Sequence, residues 1–276
     1  MSLVGVYLSV HTPRYCTYEA AFAGKLAHPD FQGVRDGLVA QGRHLATLAA
    51  DLIVINSCHL ITTFPTVVDG TPRHRGVLTA QEAPELIHGV AYDFPGDFDF
   101  ASALIDRGTA AGLQCTLAND VHYPLDYGTV MPLVCYLDRA QRIPAVPVSV
   151  CLVADLNEAF AWGKLIARTT RDLGRRAAFA ASGSVSHKLV RGPEKWPQPA
   201  EQELDHRFAR MLADGDYDRL WAWMPEYQRA ADPEMGGRHL AMMLGALIES
   251  GTRYTATIHA YGPSSGSGNY VISLAA

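Results

Sequence analysis

Four side chains in this sequence are of the types, and in the places, that build an acid–base or metal site: His11, His59, His187 and Glu234. His11 directly follows an apolar run at residues 3–10, and His59 stands just past a second run at 51–56, within Asn56-Ser-Cys-His59. His187 closes Ser182-Gly-Ser-Val-Ser-His187 after a third run. Glu234 lies in Asp232-Pro-Glu-Met-Gly-Gly, where Pro233 reads as the first residue of a helix; a carboxylate in a first turn is favoured by the helix dipole and held in a fixed direction. Two neutral imidazoles and one carboxylate leave open coordination positions on a metal, the arrangement of non-heme Fe(II) oxygen chemistry. Zinc hydrolases use two His and one Glu as well, so the donor types alone leave the metal open.

The elements that must carry these residues alternate along the chain. Residues 3–10 read as a buried strand, about 31–50 as an amphipathic helix with Val34, Leu38, Leu45 and Leu48 on one face, and 51–56 as a second buried strand. Strand, helix, strand of nearly continuous apolar character is a βαβ unit and implies a parallel sheet. In such sheets, sites form beyond the carboxyl ends of strands, which is where the three histidines fall. Further on, 98–111 reads as helix, 112–116 as extended, 145–153 as a strand whose Pro147 suggests an edge or strand-start position, 156–173 as helix and 177–181 as strand. Residues 191–203 read as a Pro- and charge-rich excursion. Helices are expected at 203–213, 217–223 and 233–248, then a strand at 254–259 and a flexible Gly/Ser/Pro loop at 261–268. No linker or repeat divides the chain, so the expected fold is a single α/β domain, residues 1–276, with a central mostly parallel or mixed sheet flanked by helices.

Composition narrows the function classes. The 276 residues carry 23 Lys plus Arg against 28 Asp plus Glu, a formal charge of -5. That sign disfavours a nucleic-acid binder, whose affinity rests on cationic contacts to phosphate. Five cysteines with no CxxC pair argue against both a disulfide framework and a thiolate zinc site. The N-terminal apolar run has no basic region before it and ends after about eight residues at His11, so it reads as neither a signal peptide nor a membrane span, and a cytoplasmic, non-membrane protein is expected. Eleven histidines are the compositional excess. His28, His44, His74, His88 and His206 read as surface residues, while His122, His239 and His259 lie close to Tyr123, the Glu234 segment and the last expected strand. The Ser182-Gly-Ser turn lacks the GxSxG form of a nucleophile elbow, and 262–268 lacks the GK[ST] of a phosphate loop. Trp221, Trp223 and Tyr227 read as packing aromatics, and Arg14, Arg238 and His239 as supporting or solvent-facing residues near the site.

Five segments together resemble a known family. They are His11-Thr-Pro-Arg-Tyr15; Asn56-Ser-Cys-His59 with Phe64 following; Leu125-Asp-Tyr-Gly-Thr-Val-Met-Pro-Leu133; Ser182-Gly-Ser-Val-Ser-His187; and the segment opening at Glu234. The end of the chain, Ala260-Tyr-Gly-Pro-Ser-Ser-Gly-Ser-Gly-Asn269, is similar too. In this order they resemble the type II, LigB-like (class III) extradiol ring-cleaving dioxygenases, above all catalytic subunits of the 2-aminophenol 1,6-dioxygenase type. The resemblance implies that His11, His59 and Glu234 ligate one Fe(II) and that His187 is the acid/base residue beside substrate and oxygen. It implies a small aromatic substrate, an o-aminophenol or catechol, with O2 as co-substrate. It also implies an oligomer, either of this chain or with a related non-catalytic subunit. One position departs: most of the family has Asp-His-Gly where this sequence has Asp126-Tyr127-Gly128. Aminophenol-type enzymes resemble this chain in that respect, and Tyr127 is a candidate hydrogen-bond donor to substrate or oxygen. A metal-dependent hydrolase with the same ligands and a non-enzymatic Memo-like relative are the alternative readings.

Overall fold

The strand Gly5–Ser9 (β1) is buried along its whole length and lies inside an eight-stranded sheet. The computed structural model describes residues 3–16, 29–136, 143–191 and 195–276. In chain order the elements are β1, α1 (Pro13–Cys16), α2 (Pro29–Thr47), β2 (Leu52–Thr62), β3 (Thr66–Asp69), β4 (Arg73–Leu78), β5 (Val90–Pro95), α3 (Phe98–Ala110), β6 (Cys115–Ala118), α4 (Tyr127–Tyr136), β7 (Ala145–Cys151), α5 (Leu156–Asp172), β8 (Ala177–Ser182), α6 (Pro199–Ala213), α7 (Tyr217–Ala231), α8 (Arg238–Ser250), β9 (Thr255–Ser264) and β10 (Ser267–Ala275). The sheet runs β6-β3-β7-β2-β8-β1-β10-β9, with β4 and β5 paired separately as an antiparallel ribbon. Its centre, β7-β2-β8-β1, is parallel, while β10 and β9 add antiparallel strands beside β1. The fold is therefore α/β around a mixed sheet, as expected.

Period-two alternation explains why the central strands are apolar on both faces. Val6, Leu8, Leu52, Val54, Ala177 and Phe179 point into a core completed by α3 and the α5–α8 layer. Tyr7, Ile53, Ile55, Ala178 and Ala180 point into a second core under α2, α4 and the β4–β5 ribbon. Each fully buried Leu, Ile or Phe contributes about 1.5–3 kcal/mol relative to exposure. The helices begin where sequence chemistry supplies a cap. Asp97 accepts the Phe100 amide at 2.9 Å, Asp155 accepts the Glu158 amide at 2.8 Å, and Gln198 and Glu201 form a reciprocal capping box at α6.

Several expectations are corrected. Pro147 is on an interior strand, not an edge or strand start: the Pro144 carbonyl takes the Ile53 amide, so Val146 and Val148 turn toward β2 and Pro147 turns away, to the side where β3 pairs only at Val148. Its missing N–H falls where almost no ladder exists. The helix expected to stop at Trp223 continues through Pro225 to Ala231, because Leu220, Trp223, Met224, Tyr227 and Ala231 bury one face and tertiary packing outweighs the proline. The 191–203 excursion already contains the start of α6 at Pro199. The loop expected at 261–268 is instead the end of β9, a turn and the start of β10. Ser265 and Gly266 both have positive φ (53° and 90°), as a tight hairpin turn requires, and the Gly and Ser residues on either side are paired strand positions. Finally, α8 starts at Arg238 and not at Pro233, because left-handed Met235, Gly236 and Gly237 interpose a tight turn.

Candidate metal centre and active-site cavity

The carboxyl ends of β1, β2 and β8 lie side by side, and the site is built there. His11 leaves β1 two residues past its end. His59 is carried by β2 itself, in a stretch where the register with β7 slips between Ser57 and Ile61. The strand is longer than its apolar run suggests, and the bulge re-aims the imidazole. Beyond β8, the 183–189 loop brings Ser184 and His187 over the same edge. Glu234 stands in the turn before α8, so its direction comes from that turn and not from a helix dipole. The turn is pinned from several sides: the Glu234 amide donates to the Ser184 carbonyl (3.4 Å), Gln228 Nε2 to Gly236 O (2.8 Å) and Arg238 to Met235 O (2.6 Å).

His11 Nε2 and His59 Nε2 each lie 3.1 Å from Glu234 Oε1, and one donor atom from each of the three residues lies within 4.8 Å of the others. The supporting hydrogen bonds decide which nitrogen of His11 carries a proton. Ser182 Oγ donates to the Gly128 carbonyl at 2.6 Å, so its contact with His11 Nδ1 at 2.8 Å must be donated by the imidazole. That leaves Nε2 of His11 facing a carboxylate oxygen. With both Nε2 atoms turned to one carboxylate oxygen, the donor set suits a metal ion. His59 turns its Nδ1 toward Glu82 at 3.6 Å, again presenting Nε2 inward. Burial pushes the Glu234 carboxyl up, but the two imidazoles outweigh it and hold the group well below the usual carboxylate range. The other carboxylate oxygen, Oε2, accepts the Ser184 amide (2.8 Å) and hydroxyl (3.2 Å). Among the described residues this is the only group of three or more His, Cys, Asp or Glu side chains with metal-ligand spacing.

His187 and Tyr127 complete the constellation. Ser184 Oγ lies 3.0 Å from His187 Nδ1; with the Ser184 proton directed to Glu234, that bond is donated by His187 and its Nε2 is left as a base. Burial pushes the His187 imidazole below its usual value, so it is neutral near pH 7. Tyr127 opens α4, and its hydroxyl is 2.7 Å from His59 Nε2. Asp126, just before it, is the cap of that helix: it accepts the Thr129 amide (3.0 Å) and the hydroxyls of Thr129 (2.6 Å) and Ser57 (2.5 Å). Gly128 is required by closeness. A Cβ there would sit 2.4 Å from Ser57 Oγ and 3.2 Å from His11 Nδ1.

All five expected site residues line one cavity of about 880 Å³, together with Arg14, Arg191 and the serines of the β9–β10 hairpin. A smaller cavity of about 300 Å³ lies behind the His59–Tyr127 wall. Neighbouring residues hold these side chains in place. The Ser182-Gly-Ser184 turn supplies the hydroxyls that orient His11, Glu234 and His187. Gly183 packs so tightly that a Cβ would be 2.8 Å from His239 Nε2; burial pushes that histidine down to about 4, leaving it neutral. Arg238 is spent on the carbonyls of Leu152, Ala154 and Met235. His74, expected at the surface, is buried beside Asp69 at 3.7 Å, because β4 folds inward over residues the sequence left unassigned. His88 is exposed, His44 and His206 are half-buried, and His28 lies outside the described residues.

Two imidazoles and a carboxylate gathered under a cavity at the carboxyl edge of a parallel sheet define a candidate metalloenzyme centre. Comparison with known proteins makes the class specific. Residues 5–272 match the family described as the catalytic LigB subunit of aromatic ring-opening dioxygenase, and the chain belongs to that family. It is 23% identical over 223 residues to a 3,4-dihydroxyphenylacetate 2,3-dioxygenase of Escherichia coli, covering 78% of this chain and 80% of that one. It is 26% identical over 186 residues to the 2-aminophenol 1,6-dioxygenase alpha subunit of a Pseudomonas species, covering 66% and 68%. An uncharacterized protein from Escherichia coli K12 shares the fold, with a TM-score of 0.61 at 20% identity over 86% of this chain and 91% of that one. Among the described residues, no helix is long and apolar enough to cross a membrane.

Proposed function

We propose that residues 1–276 form the catalytic domain of an Fe(II)-dependent extradiol dioxygenase, which opens the ring of an o-aminophenol or a catechol with O2. The observation that carries the reading is the shared Glu234 oxygen, 3.1 Å from both imidazoles, with the His187 base in the same cavity. His11, His59 and Glu234 would hold Fe(II), whose chemistry is Lewis-acid activation of two adjacent substrate donors and electron transfer between ring and oxygen.

The protein's own residues supply the proton handling. His187 Nε2 takes the phenolic proton of the bound ring, its Nδ1–H held by Ser184, and later returns a proton to the oxygen atoms being inserted. Help of this kind is worth about 10²–10⁴-fold. Tyr127 donates from the His59 side of the cavity. An o-aminophenol brings one neutral amine donor and needs one base fewer than a catechol, which matches a site with His187 on one side and a tyrosine on the other. Both oxygen atoms end in the opened product, so no external reductant enters the balance.

Neither the hydrolase reading nor the non-enzymatic one is favoured by the family match. Ser184, whose hydroxyl meets His187 Nδ1 at 3.0 Å, is only 2% exposed and is committed to Glu234. Cytoplasmic location and assembly, with itself or with a related non-catalytic subunit, belong to the same proposal; the name of the Pseudomonas relative motivates the second form. The test is to load the purified chain anaerobically with Fe(II) and add 2-aminophenol or catechol in air. Oxygen uptake is expected, and His187→Asn should lower turnover about 10²–10⁴-fold while retaining iron. Loss of iron from that variant would overturn the division of roles.

A further inference from the structure

Asp205 on α6 is a fully buried carboxylate that the proposed chemistry does not use. Its Oδ2 accepts the Ser186 hydroxyl at 2.9 Å and the Tyr261 hydroxyl at 2.7 Å, and Oδ1 has no partner among the described residues. Three elements meet at this carboxylate: α6, the β9–β10 hairpin through Tyr261, and the 183–189 loop through Ser186, the neighbour of His187. The hairpin and the loop are also stitched together by their backbones. Val185 N donates to Gly268 O (2.9 Å), Gly268 N to Ser186 O (3.0 Å) and Leu189 N to Gly266 O (3.0 Å). At their crossing a Cβ on Gly268 would lie 1.8 Å from Asp205 Oδ2, so backbone and carboxylate are in direct contact. The far side of the same joint faces the cavity, lined there by His187, Ser264, Ser265 and Ser267.

A joint that only had to hold would not need a charge, because burying a carboxylate is costly and a neutral side chain can accept two hydroxyl bonds. We propose that Asp205 is a positioning residue for His187: its ionised form draws the Ser186 and Tyr261 hydroxyls onto one oxygen, and its protonation loosens that hold and the aim of the imidazole. The inference rests on the reading of His187 as the base. Burial pushes the Asp205 carboxyl up to about 6, against the opposing pull of the Tyr261 and Ser186 bonds. A proton there adds a third donor to a joint whose two hydroxyls already donate to the carboxylate.

The two phenols facing Asp205 stay neutral in that range. Tyr227 from α7 is held well above its usual value, and Tyr270 from β10 is pushed up to about 12, both by burial first. On its own helix, Arg210 is paired with Glu203 at 2.5 Å, and His206 Nδ1 meets the Tyr270 hydroxyl at 2.6 Å. Burial pushes His206 below its usual value.

The test follows the His187 Cε1–H signal by NMR through a pH titration of the zinc-substituted, diamagnetic protein. The wild type should show, besides the titration of His187 itself, an inflection near pH 6. Asp205→Asn keeps an acceptor for both hydroxyls but has nothing to titrate, and Ser186→Ala cuts the link while leaving Asp205 in place. Both should lose the inflection, and Asp205→Asn should lower kcat about 10–10²-fold at unchanged KM, the cost of a misplaced catalytic group. A wild-type curve without the inflection, or one that persists in Asp205→Asn, would overturn the proposal. Should no aromatic substrate turn over, the dioxygenase reading fails by itself, because the NMR signal is read without turnover.

Discussion

At the scale of single residues the site is a set of enforced proton positions. Ser182 fixes His11 as the Nδ1–H form through two bonds of 2.8 and 2.6 Å. Ser182→Ala should therefore weaken metal binding about 10–100-fold in a direct titration, while the sheet persists; an unchanged affinity would remove the orienting role. Gly128→Ala should do at least as much damage by pressing on Ser57 and His11 together. Asp205 carries a cost in stability. Its carboxyl is raised from 3.8 to about 6, so the folded state holds that proton more tightly than the unfolded chain does. The contribution is full below the unfolded value and is lost as pH rises through about 6. At pH 8 the penalty for the buried charge is about 3 kcal/mol. Asp205→Asn should raise the unfolding free energy by up to that amount at pH 8, and by less at pH 5, in urea denaturation. A gain independent of pH would contradict a buried charge at Asp205. Stability is thus given up where the 183–189 loop is held.

At the scale of elements, the packing is closest where glycines let backbones touch. A Cβ on Gly163 of α5 would lie 1.8 Å from Met242 O of α8, and one on Gly245 of α8 would lie 2.0 Å from Phe160 O of α5. Either glycine changed to alanine forces these helices apart beneath the Glu234 turn. The expected loss is about 1–3 kcal/mol or more by urea denaturation, read at unchanged slope. This scale also shows what the sequence makes legible. Long periodic or continuous apolar runs, such as 52–56 and 156–172, announce their elements, and the histidines after them announce the site edge. The β4–β5 ribbon alternates too weakly in sequence to announce its strands. The β9–β10 hairpin is hidden in the sequence because Gly, Ser and Pro usually mean a loop, whereas here the turn is two residues long and the flanking small residues are in strands. The turn before α8 reads as helix because nothing local distinguishes a left-handed Met235 from a helical one; the bonds that impose it come from Gln228 and Arg238, on either side of the segment.

At the scale of the molecule, a mixed sheet buried on both faces delivers its functional side chains to one edge, and three separate stretches, 11, 59 and 234, are brought within 4.8 Å. Such a site exists only in the folded chain, so metal binding must stabilise the fold. Saturation at 100 times the dissociation constant adds about 2.7 kcal/mol. Titrating Fe(II) anaerobically should raise Tm in a concentration-dependent way, and Glu234→Gln should abolish the rise. The central claim is that this edge opens an aromatic ring with O2, and the most direct measurement is mass analysis of product formed from 2-aminophenol or catechol under 18O2. The account predicts one O2 consumed per ring opened and both labelled atoms in the initial product, before any exchange with water. Loss of oxygen without ring opening, or a product with a single labelled atom and the other from water, would contradict it.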